Sequence, residues 1–281
     1  MAGRRRTATR RIWGALLAAA ALAGFSLLYL PLFAVTLFSF NDAERGSVWG
    51  GFSLRWYAQF IAAPETSRRA WEIREATANT LILGAVSTVI ATTLGTLLAL
   101  GVQRSPWAPR LARLLDAAID LPVVTPDLIF AATLVVGFNL LRFISPWFSP
   151  GLPEMIIGHV TLQVAFVALI VRNRLVLIGA TLSEAARDLY ASSWYHFRRV
   201  TLPLLWPAIV GGAMLAFTLS LNDFVISFFT YGPGSGTLPI YVYQSQLRGL
   251  RTDLFAVSTL LVLGTIMLVL ALEKLTRWKK D

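Results

Sequence analysis

The chain has 281 residues, of which 56% are hydrophobic and only 14% charged, and its mean hydropathy is +0.64. Soluble domains average about 45–50% apolar and about 25% charged residues, so this composition points to a membrane protein whose spans each take roughly 20 apolar residues. The net charge of +10 comes from basic residues that border apolar runs, which argues against a nucleic-acid partner. The lack of cysteine excludes disulfides, thiol catalysis and cysteine metal sites.

The first apolar run, residues 12–40, opens behind Arg4, Arg5, Arg6, Arg10 and Arg11 and is too long for the core of a cleaved signal peptide, so it is predicted to be a retained span. The loop from Asn41 to Ala76 carries Trp49, Phe52, Leu54, Trp56, Tyr57, Phe60 and Ile61 among polar residues. That pattern predicts a short amphipathic helix at the membrane interface, where Trp and Tyr favour a half-wet position. Its function is read as an aromatic anchor or as a lip over the outer entrance.

Further spans are predicted at residues 77–103, 117–141, 155–171, 208–231 and 254–272. Gly84, Ser87, Ala91 and Gly95 in the second span lie at near-helical spacing and suit close helix packing. The third span contains Pro126 and Asp127. His159, near the start of the fourth, reads as a packed or interfacial histidine. The fifth contains Ser220, Asn222 and Asp223. An acid inside a span is expensive and faces a cavity or a partner, so Asp127 and Asp223 are candidates for a path that an amine cation could follow. Asp120, nearer the inner end, reads as interfacial.

Six spans place both ends on one side. With the N-terminus inside, the cytoplasmic segments hold 17 Lys and Arg residues against 8 outside, and the first outer loop balances its 5 arginines with 5 acids. The positive-inside rule therefore predicts cytoplasmic termini. The sequence carries no HExxH, no GxSxG and no GxxxxGK[ST], and its only histidines are His159 and His196. The expectation is a single transmembrane domain over residues 1–281 that is not an enzyme and binds no metal or cofactor. Any ATP, with its magnesium, is bound and hydrolysed by a partner.

The loop between the fourth and fifth predicted spans reads Glu184-Ala185-Ala186-Arg187-Asp188-Leu189-Tyr190-Ala191-Ser192, and closes on Val200-Thr201-Leu202-Pro203. It resembles the EAA loop of permease subunits in binding-protein-dependent ABC importers, where EAA is followed by three residues, Gly, nine residues, an aliphatic residue, any residue and Leu-Pro. The spacing matches from Glu184 to Pro203, with Tyr190 standing at the family's glycine. The likeness runs from about Ile12 to Leu275 and is similar to the spermidine/putrescine group in Ser39-Phe40-Asn41, Arg55-Trp56-Tyr57, Pro126-Asp127, Phe217 through Asp223, Gly232-Pro233-Gly234 and Thr237-Leu238-Pro239.

The resemblance implies an all-α, six-helix membrane protein with the type I ABC importer permease fold, located in the bacterial inner membrane. Its implied partners are two ATPase subunits, a second permease subunit, identical or homologous, and an extracytoplasmic solute-binding protein, with lipid around it. It implies that Glu184, Ala185, Ala186, Leu189, Tyr190, Ala191, Leu202 and Pro203 couple to the ATPase. It also implies that positions matching Trp56, Asp127, Ser220 and Asp223 line the path of a polyamine such as putrescine or spermidine. Asn222 stands where close relatives have a second aspartate, which leaves another small solute open. An ion-gradient-driven transporter and a membrane scaffold are the other readings. The first has no need of the EAA loop and the second has no need of intramembrane acids.

Overall fold

The computed structural model describes residues 2–46, 48–62, 68–104, 107–179, 181–249 and 251–277, and the basic residues Lys279 and Lys280 lie outside these. Among the described residues the chain is helical, with β pairing limited to two isolated bridges. It divides into two compact units, Met1–Thr66 with Ser245–Met267, and Ser67–Gln244 with Leu268–Asp281.

In the first unit, α1 (Ala2–Phe38) leaves its apolar stretch exposed from Trp13 to Phe33, a surface suited to hydrocarbon. The loop after it is built around Asn41. The Asn41 side chain donates to the Val48 carbonyl at 2.6 Å and accepts from the Gly50 amide at 2.7 Å, which draws Val48 and Gly50 back onto Asn41. The expected amphipathic helix is α2 (Arg55–Ala62). Stacking of Phe40 on Phe52 and a hydrogen bond between the Ser39 and Tyr57 hydroxyls at 2.6 Å fasten this loop and α2 to the end of α1. The start of a later helix, residues 252–277, is tied in through the Thr252 hydroxyl, which donates to the Ala43 carbonyl at 2.6 Å.

The second unit is organised by α3 (Arg68–Arg104), α6 (Leu152–Ile178) and α9 (Leu202–Asn222), which pack on one another. Small residues set the closeness of these crossings. A Cβ on Gly95 would stand 2.8 Å from the Val167 Cβ and 2.9 Å from the Val164 carbonyl, so only glycine fits there. Ser87 and Ala91, from the same stripe, are fully buried. Val167, Val171, Leu205 and Ala216 fill the core with Ala99 and Ile119.

Two expected spans are broken. The third is α4 (Pro109–Val124) followed by α5 (Asp127–Arg142), bent by 117°. Pro126 lacks an amide hydrogen and forces the residue before it out of the helical region, and Thr125 is extended at φ −77°, ψ 130°. The fifth does not run over residues 208–231. Its helix begins upstream, extends over Ser193–Asn222, stops at Asp223 and restarts as α10 (Val225–Thr230). Pro203 therefore does not open a new helix. It follows the π-helical turn Phe197–Thr201, at the point where the wider hydrogen-bonding pattern gives way to α9.

Among the described residues four helices are long and apolar enough to cross a membrane, five if the bent pair counts as one span, with Thr252–Met267 a shorter apolar helix, against the six spans expected. α3 and α6 both extend well beyond the predicted limits 77–103 and 155–171.

Candidate functional site

The loop with EAA spacing forms α7 (Thr181–Asp188) and α8 (Ser193–His196), joined by a turn at Tyr190. Tyr190 has φ +55°, the left-handed conformation that favours glycine, and it is the only non-glycine residue of positive φ among those described. Around it the Ala191 amide donates to the Ala186 carbonyl at 2.9 Å and the Tyr190 amide to the Arg187 carbonyl at 2.9 Å, the hydrogen-bond pair that closes a helix through a left-handed residue. The geometry expected of the family glycine is thus kept by a tyrosine, whose side chain is 98% exposed and clashes with nothing.

Ser192 then caps α8 by accepting the Tyr195 amide at 3.2 Å, and a π-helical turn, Phe197–Thr201, leads without a break into α9. Glu184, Ala185 and Leu189 are exposed, Ala186 and Ala191 are half-buried, Leu202 is half-buried and Pro203 exposed. Behind this loop lies a cavity of about 540 Å³ bordered by Gln103, Leu175, Arg187, Ser193, His196 and Thr201.

The second site lies at the break between α9 and α10. The Asp223 carboxylate accepts the Ile226 amide at 3.2 Å on Oδ1 and the Ser227 amide at 2.8 Å on Oδ2, so it caps α10. His159 on α6 bridges the break. Its Nδ1 is 2.8 Å from the Ser220 Oγ, and its Nε2 is 3.1 Å from both Asp223 Oδ2 and Ser227 Oγ. The chain of polar groups continues from Ser220 to the Ser87 hydroxyl at 3.4 Å, which accepts from Gln163 Nε2 at 3.3 Å. Buried polar groups of this kind hold their helices in one arrangement, because breaking the set leaves donors and acceptors unpaired. Next after Asp223 in the chain, Phe224 packs its ring on those of Phe228 and Tyr243, with Phe224 and Tyr243 centroids 4.9 Å apart.

The sequence candidates fare differently. Ser220 and Asp223 are joined through His159, whereas Asn222 is exposed at the end of α9 and Asp127 is exposed in the first turn of α5. Trp56 belongs to the other unit and is buried there, its Nε1 donating to the Asn41 carbonyl at 2.7 Å and the Arg55 guanidinium lying 4.2 Å over its ring. Sequence reasoning passed over His159, Gln163, Ser87 and Ser227 as site residues. The available signal was the pair His159 and Gln163, four residues apart on one face of an apolar helix.

A bundle with two broken spans and a helical EAA-type loop leading into one of them defines an integral membrane permease. Residues 91–277 match the family described as "Binding-protein-dependent transport system inner membrane component", and the chain belongs to that family as the permease subunit of an ABC importer. It is 34% identical over 249 residues to the putrescine transport system permease protein PotI of Escherichia coli (strain K12), covering 88% of this chain and 85% of that one. It is 29% identical over 255 residues to the spermidine/putrescine transport system permease protein PotC of the same strain, covering 91% of each. Among solved structures, a bacterial ABC transporter involved in the import of the acidic polysaccharide alginate superposes with a TM-score of 0.71 over 98% of both chains at 20% identity, a likeness of fold. The chain is a transport component of the inner membrane and not an enzyme.

Proposed function

We propose that this permease carries putrescine-like polyamines into the cell, with both termini in the cytoplasm. The observation that carries the reading is the Asp223 carboxylate at the break in the fifth span, in a chain 34% identical to a putrescine permease. An intramembrane carboxylate is retained where a cation needs a replacement for its hydration. Adjoining aromatic faces add attraction for an ammonium group. Asp127, at the other broken span, contributes further along the path.

In this reading the segment Glu184–Pro203 docks one of two ATPase subunits, which bind ATP and magnesium. A second permease subunit completes the pathway and an extracytoplasmic binding protein delivers the solute. Ala185 and Ala186 on α7, with Leu189 and Ala191 in the turn that follows it, give the docking segment an apolar surface that can seat in a groove, and Glu184 and Arg187 flank it with charge.

The test is reconstitution of the whole complex in liposomes. Binding protein loaded with putrescine should stimulate ATP hydrolysis, and Asp223→Asn or Asp127→Asn should lower uptake with assembly unchanged. Stimulation by an anionic solute alone, with both variants fully active, would refute the polyamine assignment.

A further inference from the structure

The Asp223 carboxylate is the reachable member of its pair. Its side chain is 13% exposed, whereas His159 is 1% exposed and lies behind it. We propose that His159 is a resident donor that fills the Asp223 carboxylate in the absence of solute, and that an ammonium-bearing solute binds by taking the place of His159 on that carboxylate. The inference rests on the reading of the chain as an amine importer and assigns the residue that sets how tightly the amine is held.

Three features support an exchange rather than a fixed pair. A carboxylate inside a bundle is costly when unpaired, and Oδ2 holds His159 Nε2 at 3.1 Å beside the Ser227 amide at 2.8 Å. The imidazole also has a second partner ready, since Nε2 is equally 3.1 Å from Ser227 Oγ while Nδ1 stays with Ser220 Oγ at 2.8 Å. Releasing Asp223 therefore orphans neither ring nitrogen. An alkylammonium brings three N–H donors to an acceptor that the imidazole serves with one. The partly exposed rings of Phe228 and Tyr243, beside Phe224, give its methylenes and charge an adjoining surface.

Because His159 belongs to α6 and Asp223 follows α9, the exchange also removes one of the side-chain ties between α6 and the break, leaving those to Ser220 and Ser227. Arrival of solute is thereby felt by the helix that packs against both α3 and α9.

The experiment measures equilibrium binding of radiolabelled putrescine to the assembled permease–ATPase complex in lipid nanodiscs, without binding protein. His159→Phe removes the competing donor at similar volume, and should tighten binding about tenfold, equivalent to about 1.4 kcal/mol. His159→Gln, with a neutral amide donor, should tighten it by a smaller factor and serves if the phenylalanine variant does not assemble. In an Asp223→Asn background the same substitutions should leave the residual affinity unchanged. A purely structural role for His159 cannot raise affinity, so equal or weaker binding by these variants overturns the proposal while the amine reading stands. Failure of the unmodified complex to bind putrescine overturns the amine reading and the exchange with it.

Discussion

Arg142 and Glu154 make the most quantitative test of the architecture. Arg142 ends α5, Glu154 lies in the first turn of α6, and the Glu154 side chain has no exposure. Arg142 Nη2 is 3.0 and 2.8 Å from the two carboxylate oxygens, Nη1 donates to Asn139 at 2.7 Å, and Nε donates to the Phe148 carbonyl at 2.5 Å. Removing one member of a buried pair costs about 3–5 kcal/mol, because the other is left charged without a partner. Arg142 keeps 28% of its side-chain exposure and can regain some water, which puts Glu154→Ala near the lower end, about 3 kcal/mol.

At about 2–4 °C per kcal/mol for a chain of this size class, the apparent thermal midpoint should fall by about 6–12 °C. Fluorescence-detected size exclusion of the solubilised complex after heating reads that midpoint. The double variant Arg142→Met with Glu154→Leu should recover most of the loss, since replacing both charges removes the orphan. A midpoint for Glu154→Ala within about 2 °C of the unmodified protein, or a double variant worse than either single one, would refute the account.

The EAA-type loop and the orientation provide the remaining tests. Tyr190→Gly exchanges a left-handed strain of about 1–2 kcal/mol for a glycine entropy cost of about 0.5–1 kcal/mol, so uptake should be unchanged; loss of uptake would show that the exposed tyrosine ring itself makes a contact. A cysteine at Ala186, on this cysteine-free background, should crosslink to an ATPase subunit, and Ala186→Glu should abolish uptake while the protein still inserts. For the proposed orientation, impermeant thiol reagents applied from outside should label cysteines at Ala43 and Ser149 and spare Ser192; labelling of Ser192 would overturn the cytoplasmic placement of the loop.

The long helices were legible because each contains a sustained apolar run, and the EAA-type spacing marked the turn at Tyr190, though not that the chain from Ser193 onward is already helix leading into α9. The break at Pro126 follows from a local rule, yet the span around it reads as continuous because the apolar pattern runs straight through. The break after Asn222 is harder still, since Phe224, Val225, Ile226, Phe228 and Phe229 prolong the apolar run. Only the capping of α10 by Asp223, in partnership with a helix some sixty residues earlier in the chain, fixes the interruption. Trp56 reads as an interfacial aromatic, but its indole is drawn inward by a carbonyl that the Asn41 turn positions. Tyr190 shows the converse: its place in the spacing is legible, whereas its left-handed backbone depends on the hydrogen bonds from α7.

The helical run from Ser193 to Asn222 has a mechanical consequence. Thirty residues at about 1.5 Å each make a rod of about 45 Å, with the EAA-type loop at one end and Asp223 at the other. The π turn joins α8 to α9 with no loop between them. Pivoted near its loop end, such a rod converts a tilt of about 10° into a sweep of about 8 Å at Asp223. That is wider than a hydrogen bond can follow, so a modest rotation at the loop is enough to shut or expose the carboxylate with no unfolding of the helix between.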